Sequence, residues 1–177
     1  MTASAIGLAR QIIPEEAWYA VLTRYRCEKT VTARLEKEGI LSFLPLIEQV
    51  HRWSDRQKRI QLPLFAGYIF VGLGLSQASR LGVLRTPGVL RFVSFGREIL
   101  PVPAKQIEDL KILLSNNIPC SLHAFLTAGQ RVRIRGGSLD GIEGILKHSD
   151  QKTLVISIEC IQRSIAVHLE GYDVELV

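Results

Sequence analysis

Trp18-Tyr19-Ala20-Val21-Leu22 is an unbroken apolar and aromatic run, the mark of a strand that enters a core. After the polar Arg24-Tyr25-Arg26 the period lengthens. Val31 and Leu35 fall four apart and Gly39 is placed to end a turn, which predicts a helix over 27–38. Ser42 to Val50 is mostly apolar around Pro45 and reads as a strand, followed by a polar, basic hairpin tip over 51–59. Pro63 to Val71 re-enters the core as a strand. Ser76 caps a short helix through Arg85, stopped by Thr86-Pro87-Gly88, and Val89 to Phe95 is a further strand. Pro103 opens a helix through Leu114 whose apolar face is Ile107, Leu110 and Leu114. Four strands and three helices in this order predict a sheet with helices on its faces.

Beyond Ser115 the pattern changes. Asn116, Asn117 and Pro119 break the helical period, and the rest of the chain is strand-like throughout. Gln130 to Arg135 alternates strictly, with Val132 and Ile134 facing in and three arginines facing out. Ile142–Lys147, Thr153–Ile158, Ser164–Leu169 and Val174–Val177 are further short strands, the spacing of a small barrel. The reading is a domain over 14–115, a linker over 116–126 and a second domain over 127–177, with 1–13 as a loose lead-in.

Composition narrows the class. The 177 residues are 47% hydrophobic and 22% charged, ordinary for a packed core and contrary to disorder. No run of 18 apolar residues is present, so no membrane helix is expected. The first ten residues lack the basic start of a secretory signal, and three widely spaced cysteines (Cys27, Cys120, Cys160) fit reduced thiols, so the expectation is a cytoplasmic protein. Charge is uneven. Residues 1–115 carry 16 Lys/Arg against 10 Asp/Glu, a net +6, and residues 116–177 carry 6 against 7, a net −1. A basic first half suits a polyanion, although the same charge can serve solubility alone.

Candidate chemistry is sparse. His51, His123, His148 and His168 sit in unlike contexts and assemble no ligand set. Gly72-Leu73-Gly74 lacks the third glycine of a dinucleotide fingerprint, and no phosphate loop or nucleophile elbow occurs. The pairs Glu36/Glu38 and Glu108/Asp109 read as solvated helix surface. The expectation is a binding protein without catalysis, cofactor or metal.

The stretch Gly129 to Leu146, with glycines at 129, 136, 137, 141 and 144, is a strand, a tight loop and a return strand. Leu139 and Ile142 are apolar residues inside its polar loop, and spacing leaves open whether they tuck under the barrel or stand exposed for a partner. This stretch resembles the KOW motif of the NusG and ribosomal-protein class. Upstream, Trp18-Tyr19-Ala20-Val21 with Glu28-Lys29 resembles the opening of the NusG N-terminal (NGN) domain. Pro63 to Val71 resembles its central Phe-Pro-Gly-Tyr strand, with Ala66 where the family has proline. Arg85-Thr86-Pro87-Gly88-Val89 resembles its next turn, and Pro101 to Leu110 its last helix. Ser157 to Leu169, with Gln162-Arg163-Ser164 inside, resembles the closing hairpin of the KOW barrel. Trp53-Ser54-Asp55-Arg56 and the compact linker look more like the specialised paralogues of NusG, of the UpxY, LoaP and RfaH types.

The resemblance implies an α+β fold: an N-terminal NGN α/β sandwich with a four-stranded antiparallel sheet and flanking helices, linked to a C-terminal small SH3-like KOW β-barrel. It implies a monomeric transcription elongation and antitermination regulator that binds the clamp helices of the largest catalytic subunit of RNA polymerase, in a bacterial cytoplasm at the nucleoid. The polymerase contact carries over onto Tyr19, Leu64, Phe65 and Tyr68, with Phe65 and Tyr68 on the surface, so that Phe65→Glu abolishes binding and spares the fold. The non-template DNA strand carries over onto Arg24, Arg26 and Lys29, extended by Arg85 and Arg91, with His51, Arg52, Arg56, Lys58 and Arg59 as a second basic cluster. Leu139 and Ile142 fall in the loop that in the family meets a ribosomal protein or Rho. The strand-like second half implies a stable barrel without a helical resting state. Competing readings are a housekeeping NusG and a KOW-type RNA- or ribosome-binding protein.

Overall fold

The computed structural model describes residues 17–52, 57–126, 129–147 and 152–177. The first domain runs β1 (Ala17–Thr23), α1 (Glu28–Lys37), β2 (Leu41–Phe43), β3 (Leu46–Arg52), β4 (Gln57–Pro63), β5 (Tyr68–Leu73), α2 (Gln77–Arg85), β6 (Val89–Phe92), β7 (Ser94–Phe95), β8 (Glu98–Ile99), β9 (Pro101–Val102) and α3 (Ala104–Ser115). Its sheet has the order β2-β5-β1-β6, all antiparallel, with β9 also pairing β1.

Because side chains alternate along a strand, the sheet has two apolar faces and needs a cover on each. Tyr19, Val21, Ile69 and Val71 pack with Val31 and Leu35 of α1 and Val83 of α2. Ala20, Phe70 and Val102 pack with Ile107, Leu110 and Leu113 of α3. The α1 face is the expected one, whereas α3 buries Leu113 and leaves Leu114 half-exposed. The outer side of α3 is tied down by the Lys111 ammonium, 4.7 Å from the ring centre of Trp18.

Three expected strands are broken within their apolar runs. Ser42–Val50 divides into β2 and β3 at Pro45, which cannot donate to a ladder and whose carbonyl accepts from Leu64 N–H at 2.8 Å. The β3–β4 ribbon pairs as far as Arg52 with Gln57, so most of the expected hairpin tip is ladder, and Trp53 to Arg56 lie outside the described residues. Pro63–Val71 is interrupted by a turn at 64–67. Val89–Phe95 breaks at Val93, whose N–H turns to Ala20 O at 2.9 Å.

The second domain comprises β10 (Cys120–His123), β11 (Gln130–Arg135), β12 (Glu143–Leu146), β13 (Thr153–Ile158), β14 (Arg163–His168) and β15 (Asp173–Leu176). They form an antiparallel sheet in the order β10-β14-β13-β12-β11-β15. Val132, Ile134, Leu154, Ile156, Ile165 and Val167 fill its interior, as the alternation in β11 and β14 requires. The segment expected as a linker therefore supplies a strand: β10 pairs with β14 from Cys120↔Val167 to His123↔Ser164.

Candidate functional site

The turn between β4 and β5 is fixed from three sides. Tyr68 N–H donates to Phe65 O at 3.0 Å and closes it. Gly67 has φ +82°, a left-handed conformation that glycine adopts without strain. Its N–H donates to Glu28 Oε1 at 2.7 Å, and its carbonyl accepts from Thr23 N–H at 2.8 Å. Glu28 is only 3% exposed. Sequence reading placed it at a helix start; its work is to satisfy a buried amide 39 residues away. Ala66 is exposed, and the turn closes without the family's proline.

These constraints aim Phe65 inward. It is 1% exposed and meets Phe70 edge-on, with ring centres 6.3 Å apart. Leu64 is also buried and Tyr68 is half-buried. The expected surface position of Phe65 is thus corrected. A glutamate there would bury an unpaired charge, so Phe65→Glu cannot spare the fold. Tyr19 is buried too, edge-on to Phe92 at 6.4 Å, on the opposite face of the sheet. Strand alternation removes it from any site shared with Phe65 and Tyr68.

Leu139 and Ile142 are fully buried, Leu139 within a short 3-10 turn at Gly137–Leu139. They belong to one contiguous apolar cluster with Leu64, Phe65, Ile107 and Leu110 of the first domain. The turn meets α3, and a second 3-10 turn at Glu159–Ile161 meets β9. Sequence left their exposure open; the structure tucks them in, between the barrel and the other domain.

Two α3 side chains border this contact. Lys105 Nζ donates to Gly141 O, across the domain boundary, at 2.7 Å. It also donates to Asp109 Oδ1 and Oδ2, at 3.1 and 3.3 Å. Asp109, expected as solvated surface, is 5% exposed. Burial pushes its carboxyl above the usual carboxylate range, more than Lys105 and the Glu143 backbone pull it down.

A separate basic surface lies at the turn after β1. Arg24 N–H donates to Gly88 O at 2.8 Å, which ties this turn to the one after α2. Only glycine permits the approach: a Cβ on Gly88 would sit 2.7 Å from Val31 Cγ2. Arg91 pairs in register with Leu22. Arg24, Arg26, Arg85 and Arg91 are all exposed, and among the described residues none is in an ion pair. Lys29 differs, since its ammonium is held by Gln61 O at 2.7 Å. In the second basic cluster Arg59 is 3.7 Å from Glu48, and the side chains of His51, Arg52, Arg56 and Lys58 lie outside the described residues.

Sequence reading missed Tyr25. Its ring is 72% exposed, with the Arg26 guanidinium 5.2 Å from the ring centre. The signal was an aromatic residue between two arginines in a tight turn, closed by Cys27 N–H donating to Arg24 O at 3.0 Å. Arg26 itself takes φ +61° to complete that turn.

All three cysteines are free, and burial pushes the Cys160 thiol up to about 11. Among the described residues no three His, Cys, Asp or Glu side chains gather as a metal site.

Residues 16–111 match a family model described as "Transcription termination factor nusG". The chain is 26% identical to the Transcription termination/antitermination protein NusG of Borreliella burgdorferi, over 91% of this chain and 98% of that one. It is likewise 26% identical to the protein of that name from Lactococcus lactis, over 91% and 93%. Among solved structures, one titled "Domain interaction in Thermotoga maritima NusG" superposes with a TM-score of 0.51 at 22% identity, covering 89% of this chain and 96% of that one, a likeness of fold.

Proposed function

Because this chain belongs to the NusG family, we propose that it is a transcription elongation and antitermination regulator that binds the clamp helices of RNA polymerase and suppresses pausing and termination at particular operons. The observation that carries this reading is end-to-end similarity: relatives named as transcription termination/antitermination proteins align over both domains, not over the barrel alone. A KOW-type RNA-binding protein would need only the barrel, and that half carries a net −1.

Tyr68 is the proposed polymerase contact, and the buried Leu64 and Phe65 support the turn from which it projects. Aromatic side chains suit such a contact because one rigid ring desolvates a large area. Arg24, Arg26, Arg85 and Arg91 are the proposed contact with the displaced non-template strand, joined by Tyr25. Their guanidinium forks grip phosphate, and an exposed phenol ring offers a face on which a base stacks. Lys29 leaves the proposed site because Gln61 holds its ammonium, and Tyr19 because it is buried on the other face of the sheet. Leu139 and Ile142 reach a ribosomal protein or Rho only once the barrel has left the first domain.

The test is capture of core RNA polymerase by the full chain, beside Tyr68→Ala. Capture that the folded variant loses supports the assignment; equal capture by both, or none by either, overturns it. Polymerase occupancy across the genome separates action at a few operons from the role of a housekeeping factor.

A further inference from the structure

Among the described residues Phe95 is the most exposed large apolar side chain, at 80%. It stands at the tip of the β7–β8 hairpin, where Ser94 pairs with Ile99 and Phe95 with Glu98. Leu100 N–H closes the base of that hairpin on Val93 O at 3.3 Å. Gly96, at φ +60°, opens the two-residue turn, whose twist matches that of the strands it joins. The ring is held out on a short support, and neither core cluster includes it. The hairpin continues β6, the outer strand of the first sheet. This edge starts at Gly88, whose carbonyl holds Arg24 N–H in the turn that carries Tyr25, and runs past Arg91 to Phe95. At strand rise the seven steps from Gly88 to Phe95 span at most about 23 Å. Stacked nucleotides advance about 3.4 Å each, so the edge matches about seven of them, or fewer when the strand is drawn out.

We infer that Phe95 is a second base-stacking platform, and that the β6 edge is a track for single-stranded nucleic acid with Tyr25 at one end, Phe95 at the other and Arg91 between them. The track rests on the nucleic-acid reading of the arginine surface and extends it by giving the bound strand a course and a second anchor. Charge favours a nucleic acid over a protein as the occupant. Arg24, Arg26, Arg85 and Arg91 are exposed and, among the described residues, outside every ion pair, so they are available to phosphate. The hairpin tip differs: Arg97 and Glu98 are both exposed and their charges cancel. What the tip offers is a ring face for a base, and the arginines supply the backbone contact.

The experiment is titration of the full chain with a twelve-nucleotide oligothymidylate at several salt concentrations, for Phe95→Ala, Phe95→Tyr and Phe95→Leu beside Tyr25→Ala. Phe95 is exposed, so its variants keep the fold. Phe95→Ala is expected to weaken binding by about 5- to 150-fold, the factor for one stacked base, with the salt slope unchanged. Phe95→Tyr keeps the ring and binds as the parent chain does; Phe95→Leu keeps apolar area without a π-face and stays weak. One oligonucleotide binds per chain, and two per chain would overturn a single track. Parent-like binding by Phe95→Ala while Tyr25→Ala is weakened overturns the second platform and leaves the arginine surface standing. Parent-like binding by both variants overturns the nucleic-acid surface and the track with it. Full binding by Phe95→Leu, or a loss of polymerase capture in Phe95→Ala with oligonucleotide binding intact, assigns the ring to a protein contact and overturns the proposal.

Discussion

Tyr19 and Tyr68 sit on adjacent strands of one sheet yet on opposite faces, Tyr19 against α1 and α2 and Tyr68 on the side of α3. The register sets this: Tyr19 lies across from Val71, and Tyr68 across from Leu22, an odd number of positions along β1. The two tyrosines therefore report on different things. Tyr19→Ala is expected to lower stability by about 3 kcal/mol, as for a truncated core aromatic, and to leave polymerase capture by the folded fraction unchanged. Tyr68→Ala is expected to do the reverse. Chemical denaturation beside the capture assay distinguishes them.

Tyr25 and Arg24 separate stacking from charge. In titrations of a single-stranded oligonucleotide at several salt concentrations, Tyr25→Ala is expected to weaken binding by about 1–3 kcal/mol with the salt slope unchanged, and Tyr25→Phe to restore it. Arg24→Ala is expected to reduce the slope by about 0.7, one phosphate contact on a single strand. Equal slopes for Arg24→Ala and the parent chain would remove Arg24 from the nucleic-acid surface.

Glu28 is a local test of the turn that carries Phe65. Glu28→Ala strands the Gly67 amide and is expected to cost about 1–3 kcal/mol of stability. Glu28→Gln keeps an acceptor and recovers part of it. Thermal unfolding of the three chains ranks them.

Much of this was readable from neighbouring residues. The α1 stripe of Val31 and Leu35 and the alternation of β11 are decided within a few positions, and both are as the sequence predicts. The break at 64–67 was not, because Phe65 is apolar enough to pass for strand and the turn depends on Glu28 and Thr23, distant in sequence. Asp109 reads as helix surface by period, yet it is buried. A barrel loop more than thirty residues away buries it. The same holds for Leu139 and Ile142. Local pattern marks a residue as apolar, and only the docking of the domains says against what.

Domain closure is expected to depend on pH through Asp109. Its carboxyl binds a proton more readily when buried under the barrel than when free in water. Closure therefore strengthens as pH falls through that raised value, and at neutral pH the full penalty of the buried charge is present. Lys105 on its own helix and Arg131, Glu143 and Glu159 across the cleft are the other charged groups lining it. Backbone hydrogen exchange over 137–143 should quicken from acid towards neutral pH beyond its intrinsic dependence, and Asp109→Asn should abolish that excess.

Cys160 supplies a chemical readout of the same motion. It lies in the turn that meets β9, and its thiol titrates near 11, so alkylation of the native chain at pH 8 is expected to be slow. Lys105→Ala is expected to raise the rate severalfold. A rate as fast as that of the denatured chain before any mutation would show the turn to be open already.

With β10 woven into the barrel, only Asn116 to Pro119 separate the end of α3 from the first strand of the second domain. Four residues span at most about 14 Å when fully extended. An undocked barrel consequently stays beside the face it left, at an effective concentration in the millimolar range or above. Any outside protein that takes that face competes with an intramolecular rival, and its apparent affinity falls by the fraction of time the tether keeps the face covered. Cutting the chain at Asn117 would dilute the rival to its bulk concentration, and a modest partner would then bind as a strong one.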